Sequence, residues 1–87
     1  MKIDQLQQKI GNRIRILRES KGISQQNLAA VCNFEKANLS RIEAGRTNPT
    51  ISTLYKISQA LGTTLTELVS VEEENSTQDG IAHPGGN

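Results

Sequence analysis

Residues 35–48 gather side chains that can hydrogen-bond the edges of nucleic-acid bases and the oxygens of phosphates. Glu35, Lys36, Ala37, Asn38, Ser40 and Arg41 fall within seven positions, and Arg46, Thr47 and Asn48 follow Gly45. Arginine or lysine pairs with guanine O6 and N7, and asparagine with adenine N6 and N7. A carboxylate accepts from cytosine N4, and an alanine methyl touches the thymine methyl. Each good bidentate pair supplies about 1–3 kcal/mol of discrimination. On a helix turning about 100° per residue, Ala37, Ser40, Arg41 and Ala44 point one way, with Lys36 and Asn38 at the borders. Leu39, Ile42 and Glu43 point the other way. Two of these residues carry a second reading. Glu35 is favourable simply as a carboxylate at a helix N-terminus, and Lys36 equally binds phosphate, which adds affinity without sequence information.

Such a face needs a scaffold, and the residues before it supply one. Leu28 and Cys32 stand four apart and Leu39 and Ile42 three apart, with Phe34 between them. These spacings give two short helices, about Gln25–Val31 and Glu35–Ala44. Asn33 lies where a sharp turn wants positive φ, which asparagine tolerates better than most residues. Small Ala29 lets the second helix cross close over the first. That set of constraints describes a helix-turn-helix over about residues 25–44. Ser24 is a good N-cap for its first helix. Gln25 and Gln26 then present amides in the first turn, where the helix end favours an anion. Their other reading is two exposed glutamines without a role. Gly45 ends the second helix, and Arg46, Thr47, Asn48 and Pro49 form the following loop.

Position by position, this stretch resembles the helix-turn-helix of the lambda-repressor-like, or XRE, family of DNA-binding proteins. The likeness rests on Gln25, Leu28, Ala29, Leu39, Ser40, Arg41, Ile42, Glu43 and Gly45, with the flanking Arg46-Thr47-Asn48-Pro49-Thr50, and extends from about Ile10 to Val69. Asn33 stands where the family usually has glycine, and Glu35 where it commonly has a capping serine or threonine. The resemblance implies that Gln25 and the loop Arg46–Asn48 contact the DNA backbone. It also implies that Arg18 pairs with Glu43 between the first and third helices. Finally, it implies a two-fold dimer formed through the apolar end of a fifth helix, Leu65, Leu68 and Val69.

The remaining elements follow from periodicity and caps. Ile3, Leu6, Ile10, Ile14 and Leu17 make an amphipathic stripe, which predicts a first helix from Asp4 to about Lys21 with Asp4 as N-cap and Gln7 as its partner. Its other face carries Lys9, Arg13, Arg15 and Arg18. Thr50 caps a fourth helix, Ile51–Leu61, with Leu54, Ile57, Ser58 and Leu61 inward. Thr64 to Glu67 forms a capping box for the fifth. Tyr55 lies off the inner stripe.

Eighty-seven residues, 34% hydrophobic, with one Phe, one Tyr and no Trp, allow one small aliphatic core. The net charge of +1 conceals an asymmetry. Residues 1–71 hold all ten Lys and Arg against Asp4, Glu19, Glu35, Glu43 and Glu67, whereas residues 72–87 hold Glu72, Glu73, Glu74 and Asp79 and no Lys or Arg. A basic body with an acidic tail suits phosphate better than the total does. The tail can bury little and is expected to be disordered, either idle, competing with DNA for the basic face, or binding a protein. One cysteine and one histidine leave no disulfide, metal or cofactor site to expect. No apolar run approaches the ~20 residues of a membrane helix, and a cytoplasmic location is expected. No catalytic constellation is present, so an enzyme is the least favoured class.

The expected protein is an all-α, five-helix DNA-binding domain over 1–71 with a flexible tail over 72–87. The expected function is that of a homodimeric regulator reading a pseudo-palindromic operator, with half-sites ~34 Å apart. It would be a stand-alone repressor or activator, such as the controller of a restriction-modification system. The alternatives are an antitoxin and a protein-interaction module. Such a module needs an exposed apolar patch, which the open face of the third helix lacks.

Overall fold

Helix α1 begins earlier than its caps suggested. The computed structural model describes residues 1–74, and in it α1 spans Ile3–Ser20, preceded by Lys2 as N-cap. The Gln5 side chain accepts from the Lys2 backbone N–H at 3.0 Å. The expected pairing of Asp4 with Gln7 is thus displaced by two residues. Asp4 lies within the first turn, where its charge still opposes the positive helix end. Ile3, in the first turn, is 62% exposed, so the buried stripe of α1 begins further along. Ile10 and Leu17 pack partly against the core and Ile14 lies wholly inside it.

Helices α2 (Gln25–Cys32), α3 (Lys36–Glu43), α4 (Ile51–Ala60) and α5 (Leu65–Leu68) follow, and no strand occurs among the described residues. The domain is all-α, as its composition and periodicity required. Contacts run in a circuit, α1 to α3, α3 to α2, α2 to α4, α4 to α5 and α5 back to α1. Inside that ring lie Ile14, Leu28, Ala29, Cys32, Leu39, Ile42, Ile57, Leu61 and Leu68. Burial holds the Cys32 thiol above its ordinary pKa, opposed in part by Lys56, which suits an inert space-filling cysteine.

Leu68 requires a correction to the expected dimer surface. It is fully buried and closes the core, so it offers nothing to a second copy, whereas Leu65 and Val69 keep some exposure. Thr64 caps α5, its hydroxyl accepting from the Glu67 N–H at 3.0 Å. The Glu67 carboxylate accepts from the Thr63 hydroxyl, and the Thr64 backbone N–H is its second, smaller donor. That hydroxyl, more than any other neighbour, holds Glu67 below the usual carboxylate range. The depressed value means that this contribution to stability is present above the ordinary carboxylate pKa and is lost as pH falls through the folded one. Melting curves of wild type and Glu67→Gln should therefore differ at neutral pH and converge on acidification. A constant difference would show that the carboxylate plays no part.

The chain leaves α5 along α1. Arg13 Nε donates to the Glu67 carbonyl at 3.0 Å and Lys9 Nζ to the Glu72 carbonyl at 2.9 Å. Two cations of the outer face of α1 thus hold the C-terminal backbone. The expected acidic tail, 72–87, is described only as far as Glu74, and its remaining residues, His83 included, lie outside the described residues.

Candidate nucleic-acid interface

The turn between α2 and α3 sets the pose of the reading face. Asn33 takes the left-handed conformation at φ 61°, the one non-glycine residue to do so among those described. The Phe34 N–H donates to the Ala29 carbonyl at 2.8 Å and the Asn33 N–H to the Ala30 carbonyl at 3.1 Å. These two bonds close α2 as a Schellman motif does. Asparagine therefore serves here where a glycine is usual. Phe34 packs against the core, which fixes the direction in which the chain leaves the turn.

Glu35 is the N-cap of α3, with φ −76° and ψ 145°, and its side chain makes no cap hydrogen bond. The helix thus starts one residue later than expected, and the cap bond is missing because a glutamate stem is too long to fold back as serine does. Its exposed carboxylate stays available to solvent or to a ligand. From there α3 divides as its periodicity indicates. Leu39, Ile42 and Glu43 are buried, Asn38 is half-buried, and Lys36, Ala37, Ser40, Arg41 and Ala44 are exposed. Among the described residues, no carboxylate lies within ion-pair distance of Lys36, Arg41 or Arg46.

On one side of α3 lies the start of α2. Ser24 caps it, its hydroxyl accepting from the Asn27 N–H at 3.0 Å. Gln26 is exposed and Gln25 half-buried. On the other side Gly45, at φ 75°, ends α3 and starts the loop. The Arg46 N–H donates to the Arg41 carbonyl at 2.9 Å, and the Arg46 and Asn48 side chains are exposed while Thr47 is half-buried.

Beneath this surface the expected ion pair is formed. Arg18 Nε donates to Glu43 Oε2 at 2.6 Å and Arg18 Nη2 to Glu43 Oε1 at 3.0 Å, a bidentate fork. The side chains are 9% and 3% exposed. Arg18 Nη1 donates to the Ile23 carbonyl at 2.8 Å, which ties the α1–α2 connection to the same pair. The hydrogen bonds to Glu43 hold the guanidinium above its ordinary pKa against the opposing effect of burial.

Sequence reasoning missed two parts of this support. Gln25, expected at the DNA backbone, donates through Nε2 to Glu43 Oε1 at 2.9 Å. Gly11 in mid-α1 sits against the last turn of α3, where an added Cβ would stand 2.3 Å from the Ile42 carbonyl oxygen. A glycine in the middle of an otherwise regular amphipathic helix was the available signal for the second.

A family model described as helix-turn-helix matches residues 14–68, from the buried isoleucine of α1 to the leucine of α5 that closes the core. The chain belongs to the lambda-repressor-like, or XRE, family of helix-turn-helix transcriptional regulators. It is 42% identical over 65 residues to an uncharacterized HTH-type transcriptional regulator, y4dJ, of Sinorhizobium fredii, covering 75% of this chain and 84% of that one. It is 40% identical over 68 residues to the control protein C.MunI of a Mycoplasma species, covering 76% and 92%. A solved structure of the biofilm regulator SinR in complex with DNA matches with a TM-score of 0.64 and 39% identity, over 69% of this chain and 97% of that one. Some other members are longer, and this chain spans 42% of one relative and 38% of one structural neighbour. These relatives are named as regulators or as a control protein. No helix of the described residues is long and apolar enough to cross a membrane, and no group of metal-ligating side chains occurs among them.

Proposed function

We propose that this XRE-family chain is a sequence-specific regulator that binds a pseudo-palindromic operator as a homodimer, with α3 in the major groove. The observation that carries the reading is the exposed face of α3, where Lys36, Ala37, Ser40 and Arg41 stand clear of the core with Asn38 at their border. In this architecture the N-terminal residues of the second helix of the motif meet base edges. Arg41 or Lys36 then pairs with guanine, Asn38 with adenine, and Glu35 with cytosine. Gln25, Gln26, Arg46, Thr47 and Asn48 flank that face and grip phosphates on either side. The SinR complex with DNA and the similarity to a control protein support the same assignment. The partly exposed Leu65 and Val69 supply the apolar contact between copies. We read residues 1–71 as the DNA-binding unit and 72–87 as an appended acidic tail.

Selection from a random-sequence duplex pool at two salt concentrations tests this. A two-fold symmetric motif is expected, with affinity falling steeply as salt rises. Against the selected operator, Arg41→Ala should lower affinity about 10-fold to 100-fold and relax preference at one position of each half-site. Arg46→Ala should instead weaken all duplexes alike and reduce the salt slope by about two, one for each copy in the dimer. Recovery of no motif at either salt sinks the assignment.

A protein-binding alternative has one observation in its favour. Val31, Ile51 and Tyr55 are large apolar side chains left exposed, and Val31 and Tyr55 line an open groove with Cys32 and Ala60. Reversing charge at Lys36 and Arg41 separates the readings. A phosphate-driven interaction collapses under it, whereas one seated on the α2–α4 groove survives.

A further inference from the structure

We infer that Gln25 is a positioning residue for α3, holding the reading helix through a hydrogen bond to Glu43 that joins the start of α2 to the ion pair between α1 and α3. Its functional consequence rests on the DNA-binding reading, whereas the junction itself rests on geometry.

Glu43 accepts three bonds, from Arg18 Nε at 2.6 Å, Arg18 Nη2 at 3.0 Å and Gln25 Nε2 at 2.9 Å. An ionised carboxylate only accepts, so the planar amide must turn its NH₂ group toward Glu43 and its oxygen away. That choice fixes the amide plane of a half-buried side chain. Gln25 is the first residue of α2 and Glu43 the last of α3. The two ends of the motif are therefore joined side chain to side chain. Among the described residues, this is the one side-chain hydrogen bond between α2 and α3. Otherwise the two helices meet through Leu28, Ala29 and Cys32 against Leu39 and Ile42. Packing of these side chains and the Asn33 turn set the crossing of the two helices. The hydrogen bond adds a directional tie at the ends of α2 and α3 farthest from the turn. Gln26 offers a natural control, since it has the same side chain one residue on, is exposed, and makes no such bond.

This differs from Gln25 serving only as a phosphate contact. A phosphate contact carries no sequence information, so its loss lowers binding to every duplex by the same factor. Loss of a positioning bond lowers binding to the operator more than binding to scrambled DNA, because only the operator requires α3 in register.

The experiment uses the full chain with Gln25→Met, Gln26→Met and Gln25→Lys. Methionine keeps the stem and removes the donor, and lysine restores a donor to Glu43. The first readout needs no DNA and follows the backbone amide resonances of residues 36–43. They should shift in Gln25→Met, stay in place in Gln26→Met, and return toward wild type in Gln25→Lys. The second readout compares the selected operator with a scrambled duplex. Gln25→Met should weaken operator binding about tenfold, as loss of a hydrogen bond to a charged group does, and scrambled binding by less than about threefold. Gln26→Met should weaken both equally, and Gln25→Lys should restore the ratio. Undisturbed α3 resonances in Gln25→Met, or equal losses on both duplexes, overturn the inference. If the wild type binds no duplex, the DNA reading falls alone, and the α3 resonances still decide whether the junction exists.

Discussion

Replacing Arg18 with methionine is expected to destabilise the domain by about 3–5 kcal/mol, because it strands Glu43 without its cation in the interior. Glu43 is 3% exposed and would keep only the Gln25 amide of its three donors. The Ile23 carbonyl would also lose the Arg18 Nη1 donor that now satisfies it. A domain of this size loses roughly 4–8 °C of melting temperature per kcal/mol, so the midpoint should fall by more than about 12 °C. Thermal denaturation followed by circular dichroism reads this directly. The double variant Arg18→Met with Glu43→Leu should recover much of the loss, since apolar replacement of a whole buried pair is often neutral or stabilising. A single variant that melts within a few degrees of wild type would place the pair in effectively aqueous surroundings. The pair should also be insensitive to pH on the arginine side. A raised folded pKa gives stability that is fully present below the unfolded value and is lost only as pH rises through the folded one. For arginine both lie beyond the range in which proteins are ordinarily studied.

The reach of sequence reasoning here follows from how local each signal is. Ser24, Thr50 and Thr64 cap their helices as expected, their hydroxyls accepting from Asn27, Thr53 and Glu67. A cap is decided within four residues, so it survives whatever the tertiary structure does. The division of α3 into a buried and an open face was legible for the same reason, since helical period alone sets it. The start of α1 was not, because Lys2 is a poor cap by residue type, and Asp4 with Gln7 matched the pattern better than the Lys2–Gln5 pair that forms. Ile3 matched the apolar stripe by spacing, yet it sits in the first turn and is left largely exposed. Leu68 and Leu65 looked alike as apolar residues of one short helix, and only the closure of the core by α4 and α1 separates them. The Arg18–Glu43 pair was read from family likeness, since nothing local links residues 25 positions apart. The Gln25 bond was beyond reach because it is decided by the distance between two helices, a quantity no spacing in the chain encodes, and mid-helix Gly11 marked a close approach without saying to what.

Gly11→Ala is the second large effect, and its sign is the informative part. In an isolated helix the change is favourable by about 1 kcal/mol, because glycine is the more costly residue to order. In this domain the added Cβ would stand 2.3 Å from the Ile42 oxygen, 2.6 Å from the Glu43 oxygen and 2.9 Å from the Glu43 carbon. All three are backbone atoms at the end of α3, which cannot rotate away as a side chain does, so α1 and α3 must separate. Overpacking typically costs about 1–3 kcal/mol and occasionally more, and the rigidity of the obstacle puts this site at the upper end. The expected net result is a loss of about 2 kcal/mol after the gain in helix propensity is set against it. Separation also lengthens the Arg18–Glu43 bonds, which lie two turns along the same interface, so operator binding should fall together with stability. Gly22→Ala serves as the comparison, because nothing lies within 4 Å of its added Cβ and only the positive φ of 69° opposes it. That leaves roughly 1–2 kcal/mol of left-handed strain and no displacement of α3, so operator binding by the folded fraction should be retained. Chemical denaturation of both variants, with operator titration of each, separates the two mechanisms. If Gly11→Ala raised stability, helix propensity would outweigh contact, and the close crossing of α1 on α3 could not be what holds the reading helix in place.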